Sequence, residues 1–334
     1  MAVKTEIPTE VLRPTTTGAQ PFPVLIHIGL HKTATTLLQE QLFNDAAAGF
    51  AMPFKKDDEI HDNLVLPDAL DFDADRARTY FWPRSCDVAS RGQIPVFSSE
   101  NLSGNPHAGA YDRKELAGRL HAVFPGGKVL IVIREQRSML LSTYKQYIRV
   151  GGLMCLRDYM HVPASRRITG PSFVPGVFHY DKLIALYQGL FGCDNTLVLP
   201  YELLCGDAAD FIGKICRFAD AKGAASVDVS RRPNASRKTL TMAIKRYVNP
   251  FLTRDPVNGH RILFIRGFSR LVRPMMRGLD RSGPDALNKS IESKWSREFD
   301  AFAAQYRGSN ERTAQLIDED ISRFGYRLPT GRGD

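Results

Sequence analysis

Residues 22–43 read Phe22-Pro23-Val24-Leu25-Ile26-His27-Ile28-Gly29-Leu30-His31-Lys32-Thr33-Ala34-Thr35-Thr36-Leu37-Leu38-Gln39-Glu40-Gln41-Leu42-Phe43, and two different periods meet in this stretch. From Val24 to Gly29 the run is almost continuously apolar and closes on glycine, the pattern of a strand buried on both faces of a parallel sheet. From Thr35 onward Leu37, Leu38, Gln41 and Leu42 recur at helical spacing. The unit is strand, tight loop, helix. In the loop, Gly29 to Thr36, unpaired backbone N–H groups and the positive end of the helix favour an anion. Lys32 adds a point charge, and Thr33, Thr35 and Thr36 add hydroxyl donors. A nucleoside-triphosphate loop would read GxxxxGK[ST], whereas Lys32 follows Gly29 by only three residues, so the loop is of another kind.

Working outward, the alternation repeats. Ile94–Ser99, Lys128–Ile133 and Asn195–Pro200 read as further strands, and Lys114–Phe124, Ser138–Arg149, Asp181–Phe191 and Ala208–Ala219 as helices with one apolar face. Strands alternating with helices predict an α/β fold, a central parallel sheet flanked by helices, with a helical C-terminal part. Residues about 50–93 and 150–178 break the rhythm with Pro, Gly and Asp and read as insertions of the kind that shape a substrate site or lid. Residues 1–21, rich in Pro and Thr without apolar periodicity, read as a mobile leader. A single domain over 22–329 is the expected organisation.

The chain has 334 residues, 43% of them hydrophobic, which is enough for a substantial core. No apolar run approaches the roughly 18 to 20 residues that span a bilayer, and the first residues lack the apolar stretch of a signal peptide, so a cytoplasmic protein is expected. Five scattered cysteines without a CxxC pair suggest neither a disulfide framework nor a zinc site. Between Arg231 and Arg281 there are thirteen Lys and Arg against two Asp, an excess larger than the net +9 of the whole chain. Such a segment attracts polyanions of any chemistry. No nucleic-acid reading motif accompanies it, so nucleic acid is not the expected partner. Arg mixed with Leu, Ile, Phe, Val and Met over Ala243–Tyr247 and Ile262–Met276 fits amphipathic helices with a cationic face, open to an anionic acceptor or to peripheral contact with an anionic membrane.

A second anion site is suggested by Arg134, at the end of the strand Lys128–Ile133, and Ser142, eight residues later on the next helix. Glu100 lies just beyond the carboxyl end of the strand ending at Ser98, where open α/β sheets place their ligands, and is the candidate general base. His31 and His107 are its rivals. His27, within the first strand, reads as a core residue.

The stretch HIGLHKTATTLLQEQLF resembles the 5'-phosphosulfate-binding loop of the sulfotransferase family that uses 3'-phosphoadenosine-5'-phosphosulfate (PAPS), particularly its bacterial members. Arg134, Ser142 and Tyr144 are similar to that family's 3'-phosphate element. Thr196-Leu197-Val198-Leu199-Pro200-Tyr201-Glu202-Leu203-Leu204 resembles its later strand, with Glu202 structural, and Ser309-Asn310 through Gly325-Tyr326 resembles its C-terminal helix and closing turn. Ala34 stands where glycine is common, which implies a backbone there that tolerates a Cβ.

The resemblance implies a P-loop-like sulfotransferase fold and transfer of a sulfuryl group from PAPS, as co-substrate and without a metal, to a hydroxyl of a carbohydrate or small molecule. A glycan or glycolipid precursor is the expected acceptor. The donor would be held by His31, Lys32, Thr33, Ala34, Thr35, Thr36, Arg134 and Ser142. Arg237, in the segment that the family often folds back over the nucleotide, would reach the 3'-phosphate. Lys32 would stabilise the departing phosphate and Glu100 or a histidine would take the acceptor proton. Two other readings stay open: a nucleotide kinase with an atypical loop, and a polyanion-binding protein without turnover.

Overall fold

Strand β1, Leu25–His27, is completely buried and lies at the centre of a five-stranded, all-parallel sheet. The other strands are β2 (Phe50–Ala51), β3 (Ile94–Ser98), β4 (Lys128–Ile133) and β5 (Thr196–Pro200), in the order β2-β3-β1-β4-β5. A computed structural model describes residues 22–55, 57–161, 173–223, 225, 227–229, 237–252 and 268–329. The expected leader 1–21 and part of the basic segment lie outside these residues, as do residues 162–172 of the second insertion.

The continuous apolar run around β1 follows from its position. Leu25 pairs with Val96 and Lys128, and Ile26 with Phe97 and Val129, so both neighbours are strands and both faces carry helices. Val24, Ile26 and Ile28 join one core with Phe97, Val129, Ile131 and Ile133. Leu25 joins the other with Val96, Leu130, Val132 and Leu199. The second face is covered by α1 (Thr35–Gln41), through Leu37 and Leu38, by α8 (Tyr201–Gly206), through Leu203 and Leu204, and by α9 (Ala208–Ala219), through Phe211, Ile212 and Ile215. The first is covered by α3 (Ala74–Ser90), α4 (Arg113–Val123), α5 (Gln136–Arg149), α6 (Leu156–Met160) and α7 (Tyr180–Phe191). Full burial of each such Leu, Ile or Phe contributes about 1.5–3 kcal/mol, so this two-sided arrangement supplies most of the driving force.

The span 50–93, read from the sequence as an insertion, carries regular elements. It holds the edge strand β2, a short helix α2 (Asp57–Ile60) that runs into a π-turn at His61–Val65, and the 17-residue α3. Ala77, Phe81, Ser85 and Val88 form the buried stripe of α3. Pro83 sits inside the helix, where its missing N–H reads in sequence as a breaker. Arg119 of α4 ties the π-turn down, its guanidinium donating to the carbonyls of Leu64 (2.9 Å) and Pro67 (2.7 Å).

The C-terminal part is helical, as expected: α10 (Thr239–Val248), α11 (Phe268–Ser282), α12 (Asp285–Ala303) and α13 (Arg307–Leu316). Trp295 and Phe299 of α12 pack on Tyr144 of α5, with ring centroids 5.0 and 6.3 Å away. Tyr144 is therefore a core residue, its hydroxyl donating to the carbonyl of Met154 at 3.0 Å, and not part of an anion element. Along α11, Arg270, Arg273 and Arg277 are exposed together with Leu271 and Met275. No helix among the described residues is long and apolar enough to cross a membrane.

Candidate functional site

The loop after β1 is drawn tight by its backbone. Gly29 has φ of +49°, and a Cβ there would meet the carbonyl oxygen of Ser99 at 2.8 Å, so only glycine lets β1 and the end of β3 approach this closely. Lys32 (φ 69°) and Ala34 (φ 65°, ψ 23°) are both left-handed. Ala34 thus keeps the glycine-type backbone, contrary to the sequence expectation, and carries strain of about 1–2 kcal/mol. Thr33 is fully buried and its hydroxyl donates to the carbonyl of Leu30 at 2.5 Å, so what Thr33 offers an anion is its backbone N–H.

The N–H groups of Lys32 through Thr36 make no hydrogen bond to any described residue, and the buried hydroxyl of Thr35 also lacks a partner. Thr36 is half-buried beside it. Helix α1 has only seven residues and no side-chain cap. Its dipole therefore adds little, and the anion-binding capacity of the loop lies in its unbonded N–H groups and in Lys32.

The Lys32 ammonium is half-buried and makes no hydrogen bond or ion pair with a described residue. Burial lowers its pKa, the charge of Arg149 lowers it further, Glu100 raises it and Arg134 lowers it. Arg134 braces the loop from β4: its Nη1 donates to the carbonyl oxygen of Lys32 at 3.0 Å, and its guanidinium lies 4.9 Å from the Tyr201 ring centroid. The buried Nε of Arg134 has no partner. The carbonyl of Arg134 accepts from the Tyr180 hydroxyl at 2.7 Å, which anchors the residue at both ends.

Ser142 lies on α5 and is nearly buried, with no hydrogen-bond partner among the described residues. It shares a helix face with Ser138, Lys145 and Arg149, at offsets of four, three and seven residues. The N-terminus of α5 is already filled by Glu135, whose carboxylate accepts from the N–H groups of Arg137 and Ser138 at 2.8 and 2.9 Å. An anion near Arg134 and Ser142 would consequently be held by side chains, not by the helix end. Lys145 is drawn into the same region. Burial lowers its pKa, Glu292 raises it and Arg134 lowers it.

Opposite the loop, Glu100 opens a 3-10 turn (Glu100–Ser103) directly after β3. One carboxylate oxygen is 3.0 Å from His31 Nδ1. Burial pushes the Glu100 carboxyl up, but His31 and then Lys32 outweigh it and hold it below the usual carboxylate range. His107 stands behind this pair. Its Nδ1 is 3.0 Å from the Tyr159 hydroxyl and its buried Nε2 is unpartnered. Burial, and then the charge of His31, lower its pKa to about 4, so the ring is neutral near pH 7.

His27 is fully buried, with Nδ1 2.8 Å from the Ser98 hydroxyl, as a core histidine should be. Glu202 is structural: it accepts from the N–H of Glu135 at 3.1 Å and from the Tyr326 hydroxyl at 3.3 Å.

The loop, Arg134 and Glu100 thus come together at the carboxyl ends of β1, β4 and β3, while Ser142 lies within α5. Arg237 lies further out, 3.6 Å from Asp280 of α11, and its charge bears on Lys245 of α10. Residues 231–236, just before it, lie outside the described set. Lys145 and Arg149 escaped the reading of the sequence, whereas Lys245 fell within the cationic stretch Ala243–Tyr247. The offsets of Lys145 and Arg149 from Ser142 are the signal that points to them.

No family model and no curated protein matches the sequence. Among solved structures the chain is similar to a sulfotransferase from Alicyclobacillus acidocaldarius, at 17% identity and a TM-score of 0.45, over 67% of this chain and 92% of that one. It is also similar to the sulfotransferase domain of the Synechococcus PCC 7002 olefin synthase, at 14% identity and a TM-score of 0.38, over 64% of this chain and 77% of that one.

Proposed function

We propose that the protein transfers a sulfuryl group from PAPS to a hydroxyl of a carbohydrate or small-molecule acceptor. The observation that carries this reading is the half-buried, unpaired Lys32 ammonium in a loop of unbonded N–H groups, braced by Arg134 and faced by the ionised Glu100. The residues suit the donor. A 5'-phosphosulfate would take the loop N–H groups and Lys32, and a 3'-phosphate would take Arg134 and the free hydroxyl of Ser142.

In the transfer the acceptor oxygen forms a bond to sulfur while the bond from sulfur to the 5'-phosphate oxygen breaks. The hydroxyl proton passes to the Glu100 carboxylate, and the charge left on the phosphate is met by Lys32. Glu100 is available as the proton acceptor because His31 and Lys32 outweigh its burial and keep it ionised. His31 holds the carboxylate in place. His107, with its unpartnered Nε2, orients the acceptor.

The test is direct. Purified protein incubated with sulfur-35-labelled PAPS and a mixed set of sugar and small-molecule hydroxyl acceptors is expected to yield labelled product and adenosine 3',5'-bisphosphate in equal amounts. Tight binding of ATP with magnesium, without binding of the bisphosphate, would move the reading to a nucleotide kinase. Bisphosphate binding with no turnover on any acceptor class would leave a polyanion-binding protein.

A further inference from the structure

The cations around this site do not all stand where the donor would bind. Lys32, Arg134, Lys145, Arg149, Lys245 and Arg273 form no ion pair with a described residue; Arg237 alone has a carboxylate, Asp280, within 4 Å. PAPS brings about four negative charges, about −2 on its 3'-phosphate monoester and one each on the phosphate and sulfate of the phosphosulfate. Glu100 and Glu292 bear on Lys32 and Lys145 and offset part of the positive charge, yet three of the six cations have a definite place of their own.

That place is the far end of α5. Seven residues separate Ser142 from Arg149, about 10 Å along the helix axis, so a phosphate held at Arg134 and Ser142 does not reach the end of the helix. There the Lys245 ammonium is pinned over the last turn, donating to the carbonyls of Arg149 and, at 3.4 Å, of Ile148. Asn249 locks the same corner, its amide donating to the carbonyls of Ile148 (2.8 Å) and Gly152 (2.9 Å). Lys245 is half-buried. Burial, and then the charges of Arg237, Arg149 and Arg273, press its pKa down to about 8. A solvated basic face would let its cations spread apart in water. Here the packing of α10 on α5 holds one of them against the last turn of α5, where the charges of Arg237, Arg149 and Arg273 bear on it.

Resting on the sulfotransferase reading, we infer that Arg149, Lys245 and Arg273 form an anion subsite for the acceptor, so that the hydroxyl compound receiving the sulfuryl group carries a phosphate, carboxylate or sulfate of its own. Arg149 lies seven residues beyond Ser142 on the same face of α5, so the subsite continues the line of the donor site, and the charge of Arg149 bears on Lys32. A bound anion would relieve the mutual repulsion of the three cations, and a neutral acceptor would leave it in place.

The experiment uses the full chain and two readouts. Binding of adenosine 3',5'-bisphosphate, measured by calorimetry, reports the donor site. Sulfate transfer reports the acceptor, with glucose, glucose 6-phosphate, glucuronate and glucosamine 6-sulfate as probes, so that its arms separate phosphate, carboxylate and sulfate. At least one anionic sugar is expected to exceed glucose tenfold or more in kcat/KM. Arg149→Gln with Lys245→Gln is expected to lower that value 10- to 100-fold, mainly through KM, since a charge-assisted contact is worth that much. Bisphosphate affinity should stay within twofold. The exposed Arg149→Gln alone should show the same trend, which guards against a folding defect in the double variant.

Equal use of glucose and all three anionic sugars overturns the inference, as does a tenfold loss of bisphosphate binding in the double variant, because the cluster would then hold the donor. Failure of the wild-type protein to bind bisphosphate or to transfer sulfate at all marks instead the failure of the sulfotransferase reading, and the inference falls with it.

Discussion

Arg134 donates from Nη1 to the main-chain carbonyl of Lys32 at 3.0 Å, so the residue that ends β4 sets the shape of the loop that follows β1. The guanidinium braces this carbonyl and, on the proposed function, also faces an anion; lysine can perform only the second task because it lacks the planar fork. Arg134→Lys is expected to weaken adenosine 3',5'-bisphosphate binding at least tenfold by calorimetry, and Arg134→Ala more. Thermal unfolding of the Lys variant should stay within a few degrees of wild type. Wild-type affinity in Arg134→Lys would show that the brace contributes nothing to the loop.

Ala34 sits at φ 65°, where a Cβ is strained and a β-branched side chain more so. Glycine relieves about 1–2 kcal/mol of this strain but returns about 0.4–1 kcal/mol through the entropy of the unfolded chain. Ala34→Gly is therefore expected to be more stable by about 0.5–1 kcal/mol, and Ala34→Val less stable than wild type. Denaturant unfolding of the three proteins checks the order Gly, Ala, Val. A Val variant as stable as wild type would mean that the loop is not held left-handed in solution.

Glu100→Gln keeps the size of the side chain and removes its basicity. A positioned base contributes roughly 10²- to 10⁴-fold. The expected result is a loss of that size in kcat for sulfate transfer, with bisphosphate affinity changed less than threefold. If His107 were the base instead, Glu100→Gln would cost less than tenfold and His107→Gln would carry the large loss, so the two variants measured together assign the role.

How much of this was legible in the sequence depends on where each signal lives. β1, β3, β4 and β5 announce themselves because each is buried on both faces and so must be apolar throughout. β2 is two residues long, too short to show any period. α3 hides its stripe behind Pro83 and a mostly polar surface. In the site, Lys32, Arg134 and Glu100 stand next to strand ends, which the local pattern marks. The left-handed backbone of Ala34 could not be read, because a residue name does not disclose a strained φ. Nor could the pinning of Lys245 to the end of α5, which exists only once α10 packs there, about a hundred residues further along the chain.

His27 is completely buried and neutral, and desolvation holds its pKa at about 4 against an ordinary value of 6.5; the Glu100 charge offsets only part of this. Its folded-state pKa is depressed, so the unfolded chain binds the extra proton first. The stability it contributes is fully present above about pH 6.5 and is lost as the pH falls toward about 4, a cost of about 3 kcal/mol when complete. Unfolding free energy measured from pH 7 to pH 4 should fall across this window, and His27→Gln should flatten part of the fall. An unchanged slope in that variant would assign the acid lability to other groups, His107 first among them.

The buried amides of Gln136 and Asn310 face each other across the join between α5 and α13. Gln136 donates to Asn310 at 2.5 Å, Asn310 donates back at 3.2 Å, and Asn310 also donates to the carbonyl of Arg327 at 2.9 Å. Gln136 is the second residue after Arg134, so this pair fastens the C-terminal helix to the segment that carries the loop brace. Asn310→Ala strips partners from the Gln136 side chain and from the Arg327 carbonyl at once, and each buried orphan costs about 1–3 kcal/mol. A loss of about 2–4 kcal/mol in unfolding free energy is expected for Asn310→Ala. Adding Gln136→Ala should cost clearly less than it does alone, because its partner is already gone. Strict additivity in this double-mutant cycle would show that the two amides do not act as a pair, and that the C-terminal helix is held by its apolar contacts alone.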